Sequence, residues 1–211
     1  MKAQLQKYIV HIMKLYSIAI LLKTPEGKGK ILTSKNELSS FGYFQRSTVS
    51  EFMVFTSKIL VERTATASRA SVKEREYICH VYVRSDNLSG VVIADHEYPQ
   101  RVAHTLINKV LDEFQEKCPK PNWSTIKENE APYPQLTELL QKYQNPKEAD
   151  AMTKIQSELD ETKIILHNTI EAVLQRGEKL DDLVEKSEGL SQQSKTFYIT
   201  AKKTNQCCTI L

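Results

Sequence analysis

The sequence predicts an α+β domain followed by one long helix of coiled-coil type. Three observations carry that prediction. In the first two thirds of the chain, hydrophobic residues recur alternately with the period of a strand and the period of a helix. At 144–150, "QNPKEAD", the composition changes abruptly, with Asn-Pro as a structure breaker. From Ala151 to Gln206 there is no proline, and Gly177 and Gly189 are the only glycines among charged and amide residues.

The elements follow in order. Residues 1–12 are an N-terminal extension, and Met13 stands where a compact domain begins. The run "YIVHIMKLYSIAILL" (8–22) is not a signal-peptide core, because Lys14 interrupts it and no small-residue cleavage site follows. Residues 15–22 are apolar on both alternating sets, as expected of a strand buried on two faces. "TPEGKGK" supplies a turn, and a second strand around Gly29–Ser34 closes a hairpin. Val49, Phe52, Met53, Thr56, Ile59 and Leu60 then fall at helical spacing, predicting a helix over 47–62. After a polar loop, "YICHVYVRS" alternates, with Cys79, Val81 and Val83 on one face. "GVVIAD" (90–95) returns antiparallel across a turn at Asn87. Pro99 opens a helix whose inner face is Val102, Leu106, Val110 and Phe114, and Pro119 and Pro121 end it. A short helix covers 134–143. The domain thus runs over 13–144, a linker over 145–150, the helical segment over 151–206 and a tail over 207–211.

Composition narrows the function classes. The 211 residues are 40% hydrophobic and 26% charged, with a net charge of +3. That is too little, and too scattered, for a nucleic-acid surface. No run approaches the roughly 18–20 apolar residues that span a bilayer. Cys79, Cys118, Cys207 and Cys208 have neither metal-ligand spacing nor a disulfide-rich pattern, so no metal or cofactor is expected and a reducing compartment fits. "GKGKILTS" (27–34) lacks the spacing of a phosphate-binding loop. His80, His96 and His104 have no nucleophile or carboxylate constellation in the sequence, so no catalytic residue is assigned and the protein is not read as an enzyme.

The helical segment carries a seam. Steps of three and four residues pass through Met152, Ile155, Leu159, Thr162, Leu166, Thr169, Val173, Arg176, Leu180, Leu183, Ser187, Leu190, Ser194, Phe197, Ala201 and Thr204. Ten of these sixteen are apolar, and five of the other six are Ser or Thr. A repeat sustained this far specifies a left-handed coiled coil. Arg176 sits inside it, and a second copy would bring two guanidinium groups together. An unpaired buried charge costs several kcal/mol. This helix therefore suits partners that offer neutral acceptors at that one layer, such as glutamine carbonyls.

The stretch from "LDETKIILHNTIEAVLQRGEKLDDL" to "SKTFYITAKK" resembles the SNARE motif of the synaptobrevin-like R-SNARE family. The resemblance lies in the arginine, the following "GEKLDDL" and the aromatic Phe197. It implies that Arg176 forms the ionic layer of a parallel four-helix bundle with three glutamine-type SNARE helices, and that the other fifteen positions form its layers. The part from "MKLYSIAIL" to "LQKYQNP" resembles the longin domain. That implies five strands with helices on both faces, one strand more than the four read here, and "TSKNELSSFGYF" is the candidate for it.

The chain ends "CCTIL", and Cys208-Thr209-Ile210-Leu211 fits the prenylation box, a terminal leucine favouring geranylgeranyl. Cys207 beside it is a candidate for palmitoylation or a second prenyl group, since stable anchoring takes two lipid signals. The combination resembles the lipid-anchored longin R-SNAREs, which act in transport from the endoplasmic reticulum to the Golgi apparatus and in Golgi, endosomal, vacuolar and autophagosomal fusion. It implies a prenyltransferase as modifying partner, and a protein divided between cytoplasm and the cytoplasmic face of Golgi, endosomal and vesicle membranes. It also implies a closed form in which the longin domain covers the SNARE segment. Phe52, Phe55 and Ile59 are either the groove for that contact or plain core. Ser187 and Ser194 lie at layer positions, where phosphorylation would place charge in the bundle core. A longin-type trafficking scaffold or coat adaptor, or a palmitoyl-transfer activity, are the alternatives.

Overall fold

The computed structural model describes residues 13–145 and 163–207, with side chains to Lys202 in the last helix. Five strands form an antiparallel sheet: β1 (Leu15–Lys23), β2 (Gly29–Asn36), β3 (Ser68–Glu74), β4 (Tyr77–Val83) and β5 (Leu88–Asp95). A short sixth strand, β6 (Ile164–His167), joins parallel to β3, giving the order β2-β1-β5-β4-β3-β6. Helix α1 (Arg46–Arg63) covers one face, and α2 (Gln100–Lys117) with α3 (Gln135–Lys142) covers the other.

The alternation of β1 explains the two layers. Ile18 and Ile20 point to the α2–α3 side with Leu106, Val110 and Phe114, whereas Ala19 and Leu21 point to the α1 side with Met53 and Leu60. Each fully buried Leu, Ile or Phe side chain contributes about 1.5–3 kcal/mol, so a strand apolar on both faces gains on both. Asn87 turns β4 into β5 at φ +69°, in the left-handed region that asparagine tolerates. Gly90 lets β5 approach α2 closely: a Cβ there would lie 2.7 Å from Ile107 Cγ2.

The fifth longin strand is not in "TSKNELSSFGYF". Thr33–Asn36 ends β2, and the remainder leads through turns to a 3₁₀ turn at Tyr43–Gln45. The strand is β3, in the stretch read as a polar loop. Its α2-facing residues Arg69 and Ser71 are buried but polar, which hides the alternation with Ala70 and Val72.

The second difference concerns the seam. In this state residues 163–207 are not one continuous helix. They form β6, a 3₁₀ turn at Ile170–Val173, α4 (Leu180–Lys186) and α5 (Gln192–Cys207), wrapped around the α1 face of the sheet. Gly177, at φ +88°, turns the chain before α4. Part of the segment, Ile170 with Val173 and Leu180, packs instead on the domain's own apolar face.

Candidate functional site

The site is the contact between the helical segment and the α+β domain. It begins at a sheet edge. An open edge strand presents unpaired N–H and C=O groups, and β6 satisfies those of β3 in the register Arg69–Ile164 to Val72–His167. Just beyond, the Ile170 N–H donates to Glu74 Oε2 (3.1 Å), and the Ile170 side chain enters the core beside Val72 and Cys79. Thr169 caps the 3₁₀ turn, accepting from the Ala172 N–H at 3.3 Å.

An ion pair fixes the next loop. Arg63, in the last turn of α1, donates from Nε to Glu178 Oε2 (3.0 Å) and from Nη2 to Glu178 Oε1 (2.7 Å). Planar guanidinium and carboxylate match in such a fork. The Arg63 bonds first, then the Gln175 N–H, hold the Glu178 carboxyl below its ordinary pKa.

Helix α5 then packs along α1, and α4 reaches the same apolar face through Leu180. Val184 and Leu190 are buried. Ser194 is fully buried, and its hydroxyl donates to Glu51 Oε2 (2.7 Å), which also accepts from the Ser191 N–H (2.8 Å). Burial pushes the Glu51 carboxyl up, but donors from Ser191 and Ser194 outweigh it and hold its pKa below the ordinary value. The Tyr198 ring stacks on Phe52 with centroids 5.8 Å apart, and its hydroxyl donates to Asp181 (2.8 Å), which also binds Lys202.

Between α1, the β3–β4 hairpin and this folded-back segment lies a mostly apolar cavity of about 600 Å³. Phe41, Phe52 and Phe55 line it from one side, and Ile170, Leu180 and Tyr198 from the other. That volume falls within the roughly 300–1,000 Å³ of small-molecule sites. Cys79 is also in the wall, where burial pushes its thiol up to about 12. It is therefore a protonated, unreactive thiol at neutral pH.

Comparison with known proteins agrees with this two-part architecture. The family described as "Longin: Regulated-SNARE-like domain" matches residues 38–140, and "Synaptobrevin" matches residues 151–209. The "Synaptobrevin homolog ykt6" of Schizosaccharomyces pombe is 51% identical over 198 residues, covering 94% of this chain and 100% of the relative. The "Synaptobrevin homolog YKT6" proteins of Yarrowia lipolytica and Debaryomyces hansenii are 50% and 51% identical over 201 residues, with the same coverage. The chain belongs to the longin-type R-SNARE family. It is an R-SNARE of vesicle trafficking, with SNARE proteins as partners, and its class carries out no bond chemistry.

In this longin R-SNARE the seam is only partly covered. Leu190 and Ser194 are buried, and Val173, Leu180, Leu183, Ser187 and Ala201 are half-buried. Leu166, Thr169, Arg176 and Phe197 are exposed. Met152, Ile155, Leu159, Thr162 and Cys208 lie outside the described residues, as do the side chains of Thr204 and Cys207. Ile170, Val184 and Tyr198 pack on the domain although they are off the seam. Phe52 and Phe55 line the cavity. Ile59 does not: it is buried, and its neighbour Leu60 faces the cavity instead.

Two buried histidines also acquire partners that the sequence hid. The Ser71 hydroxyl lies 2.8 Å from His80 Nδ1 and 3.1 Å from His104 Nε2, linking β3, β4 and α2. Burial lowers His80 to about 4, and burial with the nearby His80 and Arg69 lowers His104 to about 3. All three residues are fully buried, so this Ser–His arrangement is an interior polar network and not a nucleophile open to substrate. The signal was obscured because Ser71 lay in the segment read as a loop. Among the described residues there is no group of three or more potential metal ligands, and no helix is long and apolar enough to cross a membrane.

Proposed function

We propose that this R-SNARE drives membrane fusion by zippering its 151–206 segment into a parallel four-helix bundle with three glutamine-type SNARE helices. The observation that carries the reading is the unbroken seam of sixteen positions with Arg176 inside it. Layers close from Met152 towards Thr204, and Arg176 donates to the three glutamine carbonyls at one level, fixing register. As one helix, residues 152–204 would reach roughly 80 Å, so closure draws the C-terminus towards the opposing membrane. The anchor in this reading is lipid: prenyl on Cys208, with palmitoyl or a second prenyl on Cys207.

The longin domain restrains this reaction. Ser194 is buried against it and Val173, Leu180 and Ala201 are half-buried, and none can pack in a bundle at the same time. Opening must break the Arg63–Glu178 fork, the Glu51 contacts and the Phe52–Tyr198 stack before a continuous helix forms. The cavity is the place for the prenyl chain while the protein is off the membrane. Its aromatic walls suit a branched hydrocarbon, and Tyr198, Ala201 and Lys202 bring α5 to it shortly before Cys207. The protein then alternates between cytoplasm and the cytoplasmic face of Golgi, endosomal and vesicle membranes. The transfer alternative is disfavoured by Cys79, a protonated thiol facing the cavity.

Mixing the purified chain with three glutamine-type SNARE helices tests the bundle. A thermostable or SDS-resistant quaternary complex is expected, and failure of every cognate set would overturn the fusion reading. Intact-mass analysis of the C-terminal peptide identifies the lipids. Cys208→Ser should leave the chain off membranes in cells, and unchanged membrane association would refute the anchor.

A further inference from the structure

The loop before α1 shows two large aromatic side chains to solvent. Tyr43 and Phe44 are 77% and 86% exposed, and their rings meet edge to face with centroids 5.5 Å apart. The loop beneath them is braced. Arg46 donates from Nε to the Phe41 carbonyl (3.2 Å) and from Nη2 to the Ser39 carbonyl (3.3 Å). Glu37 accepts from the Ser39 N–H at 2.9 Å, and the Phe41 ring packs edge to face on Tyr16. Backbone bonds from Phe41 to Leu38 and from Gln45 to Gly42 close the turns. Such bracing holds the two rings outward on a built support.

Two further observations identify the occupant. From Leu38 to Ser50 the only charged residue is Arg46, and Lys14 and Arg46 both act on Glu37, the nearest acid in sequence before the loop. With exposed Lys35 at the end of β2, three cations, Lys14, Lys35 and Arg46, stand beside the loop against Glu37, the one acid hydrogen-bonded to it. The loop is also continuous with the cavity: Phe41 and Gln45 line its wall while Tyr43 and Phe44, between them in sequence, point away.

We propose that Tyr43 and Phe44 form a membrane-insertion tip, which enters the interfacial region of a phospholipid bilayer beside the C-terminal lipid. The proposal rests on the lipid-anchor reading above. Aromatic rings favour the headgroup level of a bilayer, and basic residues around them favour its anionic lipids. One prenyl chain alone binds membranes marginally and reversibly. The tip adds a signal of its own beside the cavity from which the lipid departs.

The test uses the full-length prenylated chain with vesicles of phosphatidylcholine, with and without phosphatidylserine. Tyr43→Ser/Phe44→Ser, with the lipid intact, should lower partitioning about tenfold or more, from the loss of two buried rings. A Phe44→Trp reporter, read against the buried Trp123 background, should shift to the blue on adding vesicles and be quenched by brominated acyl chains. Unchanged partitioning of the double variant with an unshifted reporter overturns the tip, including the case in which the loop docks on a protein instead. If Cys208→Ser still abolishes binding, only the tip has failed. If unmodified Cys208→Ser chain binds as well as the prenylated chain, the anchor reading fails, and the reporter shift alone then decides the tip.

Discussion

Arg63 and Glu178 meet through two parallel hydrogen bonds of 3.0 and 2.7 Å, joining the last turn of α1 to the loop that carries Arg176. The fork therefore sits two residues from the proposed ionic layer. It holds that layer's loop against the domain while Arg176 itself remains exposed.

Breaking the fork should free the loop without unfolding the domain. Glu178→Arg is expected to speed amide exchange over residues 175–187 several-fold, with the exchange of β1 and β5 unchanged. Arg63→Glu in the same chain should restore protection by re-forming the pair in reverse. Failure of the double exchange to restore it would show that the fork does not hold the loop.

Ser194 and Glu51 give the same segment a charge-sensitive contact. A negative group at Ser194 would face the Glu51 carboxylate where a hydroxyl now donates at 2.7 Å, and like charges at that range repel strongly. Ser194→Asp should shift the chain towards an open form, seen as a larger radius of gyration in X-ray scattering. Adding Glu51→Lys should restore the compact form. Assembly with partner helices should stay impaired in both, because Ser194 is also a seam position.

The Ser71–His80–His104 network makes domain stability depend on pH. Both histidines remain neutral in the fold, at about 4 and about 3, against an ordinary 6.5. The unfolded chain binds protons that the folded one refuses, so their contribution is complete above 6.5 and is lost as pH falls towards 4 and 3. Between pH 7.5 and 5 the two together should cost up to about 4 kcal/mol, measured by urea denaturation. In His80→Asn/His104→Asn, or in any folded variant lacking both rings, that slope should flatten. An equal slope would assign the acid sensitivity elsewhere.

How far the sequence reveals this molecule depends on whether one side of each element is plainly apolar. The β1 strand and α2 were legible because Ile18, Ile20, Leu106 and Phe114 follow a single period. The β3 strand was not, because Arg69 and Ser71 are buried in polar company with Tyr82, His80 and His104. The seam was legible as a repeat of three and four residues, and that period belongs to the bundle proposed above, whereas here the same residues form a strand, a 3₁₀ turn and two helices. Its folded-back arrangement depends on Ile170, Val184 and Tyr198, which lie off that period and pack on a surface distant in sequence. Phe52 and Phe55 were open to either reading, groove or core, and both line the cavity, while the choice between Ile59 and Leu60 turned on a single step around α1.

The same division allows the two roles of the segment to be separated. Arg176 is exposed here and is proposed to be buried in the bundle, whereas Ile170 is buried here and lies off the seam. Arg176→Ala should leave the folded-back contact intact, with unchanged amide exchange at β6, yet lower the thermal stability of the four-helix complex. Ile170→Ala should do the reverse. Loss of a buried isoleucine side chain weakens its site by roughly 2–5 kcal/mol, so β6 and the 3₁₀ turn after it should exchange faster and complex formation should accelerate. The finished complex should melt as the unaltered one does. If Arg176→Ala opened the folded-back form, or Ile170→Ala slowed assembly, the two packing arrangements would not be competing for this segment.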